Sequence, residues 1–311
     1  MIYLTQGHEK SIAFETFIKS FLMLPSEKLD KFIYIVNKEC IEKNSSDLNL
    51  NISIKEDAIL INNNRRLNCL FIEDDIQQSS FKSIIKALGI ITEDDILVTL
   101  PTSKDKFILN NNKFAGHTEF FRSYFHKELT MNFINESEQV LILTDHVAIE
   151  NVSKSLTIDH ILNQIEVSLK NIKRYFNRNI KNVVISGINP HAGESGIISN
   201  DDKVIEVAVH ALSKKFKNIT FIGPVPADTQ FHQIKNLKNT LQVFCHHDQA
   251  LTYFKFKNGF IGINTTFGLD FLRLSVDHGT APNLYGLNIA NPIGSYFVLK
   301  TALEIHEKRR L

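Results

Sequence analysis

The chain is 311 residues long, enough for one large domain or two ordinary ones with a substantial core, which excludes a disulfide-stapled miniprotein. Lys+Arg 35 against Asp+Glu 34 leave a net charge of +1, so composition provides no general attraction to nucleic acid or an anionic membrane and points to a small-molecule partner. At 43% hydrophobic and 22% charged the sequence reads as globular, and three cysteines in no paired spacing (Cys40, Cys69, Cys245) fit a reducing cytoplasmic setting.

The opening segment, MIYLTQGHEKSIAFETF, has no basic stretch followed by an apolar core, and no apolar run approaches the roughly 20 residues of a membrane span. Export and membrane insertion are therefore not expected. In chain order, short β-branched runs predict strands over 2–5, 32–36, 58–61, 68–72, 96–100, 140–144, 182–186, 219–222, 241–244 and 260–264. Helices are predicted between them. The clearest covers 13–24, 157–176, 202–216 and 292–307, and in the second of these Ile158, Ile161, Leu162, Ile165, Leu169 and Ile172 recur at helical spacing. Asn291 is expected to cap the last of them, with Pro292 in its first turn. Such alternation predicts an α/β protein with a mixed, largely parallel sheet, whose ligand sites lie in loops at the carboxyl ends of strands. No linker separates two clean domains, so any two lobes over 1–311 should be interwoven, with a cleft between them and no linear boundary.

The unusual residues fall in those loops. His117, His146, His191 and His247 occupy separate ones, the last three directly after predicted strands. Three imidazoles suit a borderline divalent metal and leave positions open for substrate, although no local signature such as HExxH ties them together. Lys104, Lys255, Asn264 and Arg273 lie in or beside the same loops and could hold phosphate and carboxylate groups. Lys255 and Arg273 each interrupt an apolar run, where a charge without a partner would be costly. Neither GxGxxG nor GxxxxGK[ST] occurs, so an ordinary Rossmann or P-loop nucleotide site is disfavoured.

As a set, the segments Gly116-His117-Thr118-Glu119-Phe120-Phe121, Asn189-Pro190-His191-Ala192-Gly193-Glu194, Gly223-Pro224-Val225-Pro226-Ala227-Asp228-Thr229, His247-Asp248-Gln249 and Ser275-Val276-Asp277-His278-Gly279-Thr280-Ala281 resemble the 4-hydroxythreonine-4-phosphate dehydrogenase family, PdxA. They match in order and approximate spacing over about residues 96–300. The resemblance implies an isocitrate/isopropylmalate-dehydrogenase-like α/β/α two-lobed fold, a homodimer with active sites at the interface, NAD and a divalent metal (zinc, cobalt, magnesium or manganese). It implies His146, His191 and His247 as metal ligands, the third from the partner subunit, and His117, Thr118, Lys255, Asn264 and Arg273 as substrate contacts. Asp277, His278, Gly279, Thr280 and Ala281, with Asn291, are similar to the loop that holds the adenosine of NAD in isopropylmalate dehydrogenases. Lys104 and Asp248 stand as candidates for acid-base or supporting roles.

The activity so implied is oxidation of 4-phosphooxy-L-threonine, then decarboxylation to 3-amino-2-oxopropyl phosphate for pyridoxal phosphate synthesis. The chain departs from the family where Gln6-Gly7-His8-Glu9-Lys10-Ser11-Ile12-Ala13-Phe14-Glu15 replaces the usual Gly-Asp/Glu-Pro-Ala-Gly-Ile-Gly-Pro-Glu opening, at His246, where an aromatic is usual, and at Asp270, where proline is frequent. Alternatives are a paralogue acting on 4-phospho-threonate or 4-phospho-erythronate, and an inactive metabolite-binding protein on the same fold.

Overall fold

Strand-forming and amphipathic runs alternate in the computed structural model, which describes residues 1–73, 75–109 and 111–309. In chain order they are β1 (Ile2–Thr5), α1 (Ala13–Leu22), β2 (Phe32–Asn37), α2 (Lys38–Asp47), β3 (Ile52–Ile54), β4 (Ala58–Ile61), β5 (Arg65–Ile72), α3 (Ile76–Leu88) and β6 (Ile96–Thr99). A short hairpin, β7 (Ile108–Leu109) and β8 (Asn112–Lys113), precedes α4 (His117–Phe125), β9 (Thr130–Ile134), β10 (Gln139–Thr144), α5 (Ile149–Ser155) and α6 (Ile158–Phe176). Then come β11 (Asn182–Ser186), α7 (Lys203–Lys215), β12 (Thr220–Val225), β13 (Thr240–His246), α8 (His247–Asn258), β14 (Ile263–Phe267), β15 (Leu272–Ser275) and α9 (Ile293–Lys308).

The chain divides into two compact units, one of residues 1–125, 260–263 and 269–311, the other of 126–259 and 264–268. In the first, strands run in the order β15-β6-β1-β2-β5-β4-β3. All neighbours from β15 to β5 are parallel, and β4 and β3 close the edge antiparallel. Its core sits around Phe17, Phe21, Phe32 and Tyr34, all buried, with α1 packed on α9. In the second unit the order is β12-β11-β13-β10-β9-β14, with β12, β11, β13 and β10 parallel and β9 antiparallel to β10. The predicted mixed, largely parallel α/β architecture is the one observed.

Helix α6 shows why the strongest pattern was read correctly. The Thr157 hydroxyl accepts from His160 N at 3.2 Å and opens the helix, while Asn177, at φ 51°, ends it in the left-handed region. Ile161, Ile165, Leu169 and Ile172 are buried on one face, each contributing roughly 1.5–3 kcal/mol. Ile158 stands outside that stripe, exposed. Asn291 Oδ1 accepts from Ile293 N at 3.0 Å, but the helix begins at Ile293 with Pro292 in the cap position, so Asn291 lies one residue before the cap and Pro292 outside the first turn predicted for it. No helix of the described residues is long and apolar enough to cross a membrane.

Three expectations are corrected. The strand predicted over 260–264 lies at Ile263–Phe267, because Phe260 and Ile261 are exposed and the buried positions are Thr265, Thr266 and Phe267. Gly223, Pro224 and Val225 belong to β12 rather than to a loop; β12 is the edge strand of its sheet, where proline's missing N–H costs no ladder bond. His117 and His247 are not loop residues but the first residues of α4 and α8.

Candidate functional site

At the carboxyl ends of β15, β6 and β1 the register aligns Ser275, Thr99 and Thr5. Arg273 projects from β15 toward this edge, 2% exposed, and donates from Nε and Nη2 to the Thr99 hydroxyl at 3.0 and 2.6 Å. Its guanidinium lies 5.8 Å from the Phe121 ring of α4. Burial pushes its pKa down, to about 9, which still leaves it charged at neutral pH. This is the buried cation that its apolar surroundings predicted.

His117 opens α4 beside it, its ring 4.7 Å from that of Phe107. Burial, followed by the Arg273 charge, holds the His117 pKa well below its usual 6.5, so the imidazole is neutral at pH 7. Its buried Nε2 has no hydrogen-bond partner among the described residues, and Thr118 next to it is buried. A fixed cation and a neutral imidazole with an unspent nitrogen form a polar pair suited to an anionic, hydroxyl-bearing ligand.

The His117 shift has a thermodynamic consequence. The unfolded chain takes up this proton near pH 6.5, whereas the folded chain does so only at much lower pH. Stability should therefore fall as pH drops below 6.5, with a slope of up to about 1.4 kcal/mol per pH unit from this group. His117→Gln should flatten that limb in a series of thermal melts; parallel wild-type and variant profiles would refute the assignment.

Other parts of this unit frame the same edge. The segment Gln6–Ser11 follows β1: His8 N donates to Pro101 O at 2.8 Å and His8 Nδ1 lies 2.9 Å from Glu9 Oε2. Gly7 is required here, since a Cβ would stand 2.2 Å from that of Ala13. Ile12 N donates to Thr280 O at 3.0 Å, which joins the divergent opening to the segment expected to hold NAD. There, Asp277, His278 and Thr280 are half-buried, Gly279 faces open space, and Ala281 adopts φ 42°. Open backbone at Gly279 is compatible with close approach of a nucleotide. The Asn291 side-chain carbonyl is taken up by Ile293 N, and Lys104 is exposed in a single helical turn.

The second unit carries the histidines. Thr144 and His246 are paired at the ends of β10 and β13, so His146 and His247 follow adjacent parallel strands, with ring centroids 6.2 Å apart. His247 Nδ1 meets Asp248 Oδ1 at 2.8 Å, and His146 Nδ1 lies 4.0 Å from Asp145 Oδ2. His191 is exposed on the loop after β11, its Nδ1 2.7 Å from Glu194 Oε2. Three imidazoles, two of them with Nδ1 hydrogen-bonded to a carboxylate, are a donor set that suits a divalent metal. Two imidazoles sharing one tetrahedral ion bring their centroids to about 5 Å. Among the described residues no group of three or more His, Cys, Asp or Glu is placed to hold an ion.

Lys255 corrects a sequence argument. In sequence it is a charge within an apolar run, but helical periodicity buries Leu251 and Phe254 and leaves Lys255 and Phe256 exposed, the latter 93%. Asn264 is half-buried on β14, its Oδ1 buried and without a hydrogen-bond partner among the described residues. Lys255 and Asn264 belong to the second unit and Arg273 to the first. Two residues were missed. Gln249 accepts from Cys245 N at 3.1 Å and donates to Gly187 O at 3.0 Å, tying α8 to the loop after β11; its place in the His-Asp-Gln motif was the signal. Glu194 was visible only as part of the loop motif.

Comparison with known proteins places these features. The sequence profile of the family described as pyridoxal phosphate biosynthetic protein PdxA matches residues 28–302. The 4-hydroxythreonine-4-phosphate dehydrogenase of Vibrio parahaemolyticus is 36% identical over 229 residues, spanning 72% of this chain and 68% of its own. Its counterpart in Sulfurihydrogenibium sp. is 28% identical over 322 residues, spanning 99% and 98%. The crystal structure of the Klebsiella pneumoniae enzyme of that name aligns with TM-score 0.77 at 22% identity, over 98% of this chain and 99% of that one. The Burkholderia phymatum structure aligns with TM-score 0.74 at 24% identity, over 98% and 97%. These solved structures share the fold.

Proposed function

The chain belongs to the PdxA family of pyridoxal phosphate biosynthetic proteins, and on that premise we propose that it is an NAD-dependent, metal-dependent dehydrogenase of 4-phosphooxy-L-threonine. In this reading the substrate hydroxyl gives up its proton and carbon 3 its hydride to NAD. The resulting β-keto acid loses carbon dioxide to yield 3-amino-2-oxopropyl phosphate. Relatives named 4-hydroxythreonine-4-phosphate dehydrogenase support the dehydrogenase class.

Arg273 is the observation that carries the proposal. A guanidinium only 2% exposed, at the carboxyl edge of parallel strands and beside a neutral His117, suits a substrate that bears a phosphate and a carboxylate. His117, Thr118, Lys255, Asn264 and Arg273 are proposed to bind it. Asp277–Ala281 with Asn291 are proposed to receive NAD, consistent with the open backbone at Gly279. His146 and His191, with the partner subunit's His247, would hold the metal in a homodimer. Such an ion, when bound, acidifies a chelated hydroxyl and stabilises alkoxide charge. Asp248, bonded to His247, is proposed to orient that ligand rather than to act as base. Exposed Lys104 is retained as a proton-transfer candidate.

One observation favours a second reading. The divergent segment Gln6–Glu15 begins at the same strand edge, with His8 N on Pro101 O and Ile12 N on Thr280 O, where it can alter ligand choice. The paralogous substrates 4-phospho-threonate and 4-phospho-erythronate lack the amine. Purified protein with zinc, NAD and 4-phosphooxy-L-threonine should generate NADH absorbance. Activity confined to 4-phospho-threonate or 4-phospho-erythronate would shift the assignment to the paralogue, and none with any of them would leave a metabolite-binding protein.

A further inference from the structure

The loop after β11 has an unusual backbone. His191, Ala192, Gly193, Glu194 and Ser195 take φ values of 53°, 51°, 78°, 47° and 53°, five consecutive residues in the left-handed region, four of them not glycine. In such a turn residues three apart face the same side, which brings Glu194 onto His191 with Oε2 2.7 Å from Nδ1. The turn is anchored from below. Asp202, 3% exposed, accepts from Ile188 N at 2.6 Å and from Asn189 Nδ2 at 2.9 Å, and Gly193 O accepts from Ile198 N at 3.1 Å. A Cβ on Gly193 would come within 2.5 Å of Ser199 O and 3.0 Å of Asp202, so the turn is closed around its anchor.

We infer that Glu194 is a positioning residue for His191: it accepts the Nδ1 proton, fixes that tautomer and leaves the Nε2 lone pair directed outward as the metal-binding atom. This deepens the metal reading above and rests on it. Neutral imidazole has one protonated nitrogen, and the hydrogen bond made by one nitrogen decides which atom remains to ligate. His247 with Asp248, at 2.8 Å, repeats the device on the neighbouring strand end. The left-handed turn explains how so exposed a pair is held in one geometry: backbone, rather than side-chain attraction alone, sets the separation.

The test uses metal-free full-length protein with nitrogen-15 histidine, the His191 signals being identified by their absence in His191→Ala. Wild type should show His191 protonated at Nδ1; Glu194→Ala should shift it toward the Nε2–H form, and Glu194→Gln, whose amide oxygen still accepts, should preserve it. Zinc affinity, measured by competition with a chromophoric chelator, should fall about 10- to 100-fold in Glu194→Ala and less in Glu194→Gln. An unchanged tautomer in Glu194→Ala overturns the positioning role whatever the metal does. A changed tautomer with unchanged zinc affinity overturns its link to metal binding. If His191→Ala also binds zinc normally, it is the ligand assignment that fails, and the tautomer still decides the role of Glu194 toward His191.

Discussion

Arg273→Met should lose catalytic efficiency heavily while the protein remains as stable as wild type, or becomes more so. The guanidinium is buried, with both Nε and Nη2 committed to Thr99, and burial lowers its pKa to about 9, a sign that desolvation weighs against the charge. Replacing a buried ion by an apolar side chain of similar length is often neutral or stabilising. A substrate phosphate or carboxylate, by contrast, would lose a charge-assisted partner worth about 2–5 kcal/mol, or roughly 30- to 5,000-fold in kcat/KM. Arg273→Lys should recover little, because an ammonium on a different stem cannot reproduce the planar fork that reaches Thr99 and an anion together. Steady-state kinetics and thermal melts on the same preparations decide the matter. A kcat/KM near that of wild type in Arg273→Met would remove Arg273 from the binding set; a collapsed melting temperature would make it a structural cation.

The contrast between Arg273 and Lys255 shows what the sequence could carry. Both are charges set among apolar residues, and the same argument was applied to each. It held for Arg273 because β15 is buried at every position from Leu272 to Ser275. It failed for Lys255 because a helix turns successive residues to different sides, so Phe254 is buried and Phe256 is exposed. Strand β14 was displaced for a related reason: its buried positions include two threonines, while the more apolar Phe260 and Ile261 lie outside it. Strands 2–5 and 182–186, whose runs are apolar and bounded by polar or glycine residues, were read at their observed limits. The His191–Glu194 pair was beyond reach, since no local propensity announces four non-glycine residues with positive φ in a row of five. Such a turn costs about 1–2 kcal/mol for each of those residues and exists only because contacts distant in sequence, chiefly Asp202, hold it.

Mixed dimers should separate the two ways in which the histidine trio can be completed. If His146 and His191 of one subunit meet the partner subunit's His247, then His146→Ala and His247→Ala are each inactive alone. After denaturation and co-refolding at equal amounts, half the dimers are mixed, and each mixed dimer has one site with all three ligands intact. About 25% of sites should then recover, by the arithmetic of a two-fold assembly. His146→Ala mixed with His191→Ala should recover nothing, since both defects fall in the same half of the site. The 6.2 Å between the His146 and His247 rings of one chain supplies the rival arrangement, in which those two ligate together and His191 comes from the partner. That arrangement reverses both outcomes: His146→Ala with His247→Ala would stay inactive, and His146→Ala with His191→Ala would recover. We expect the first pattern, because the centroid spacing exceeds the roughly 5 Å of two imidazoles on one tetrahedral ion. Recovery in neither mixture, with wild-type subunits exchanging normally under the same conditions, would place the whole site in one subunit and end the shared-site proposal.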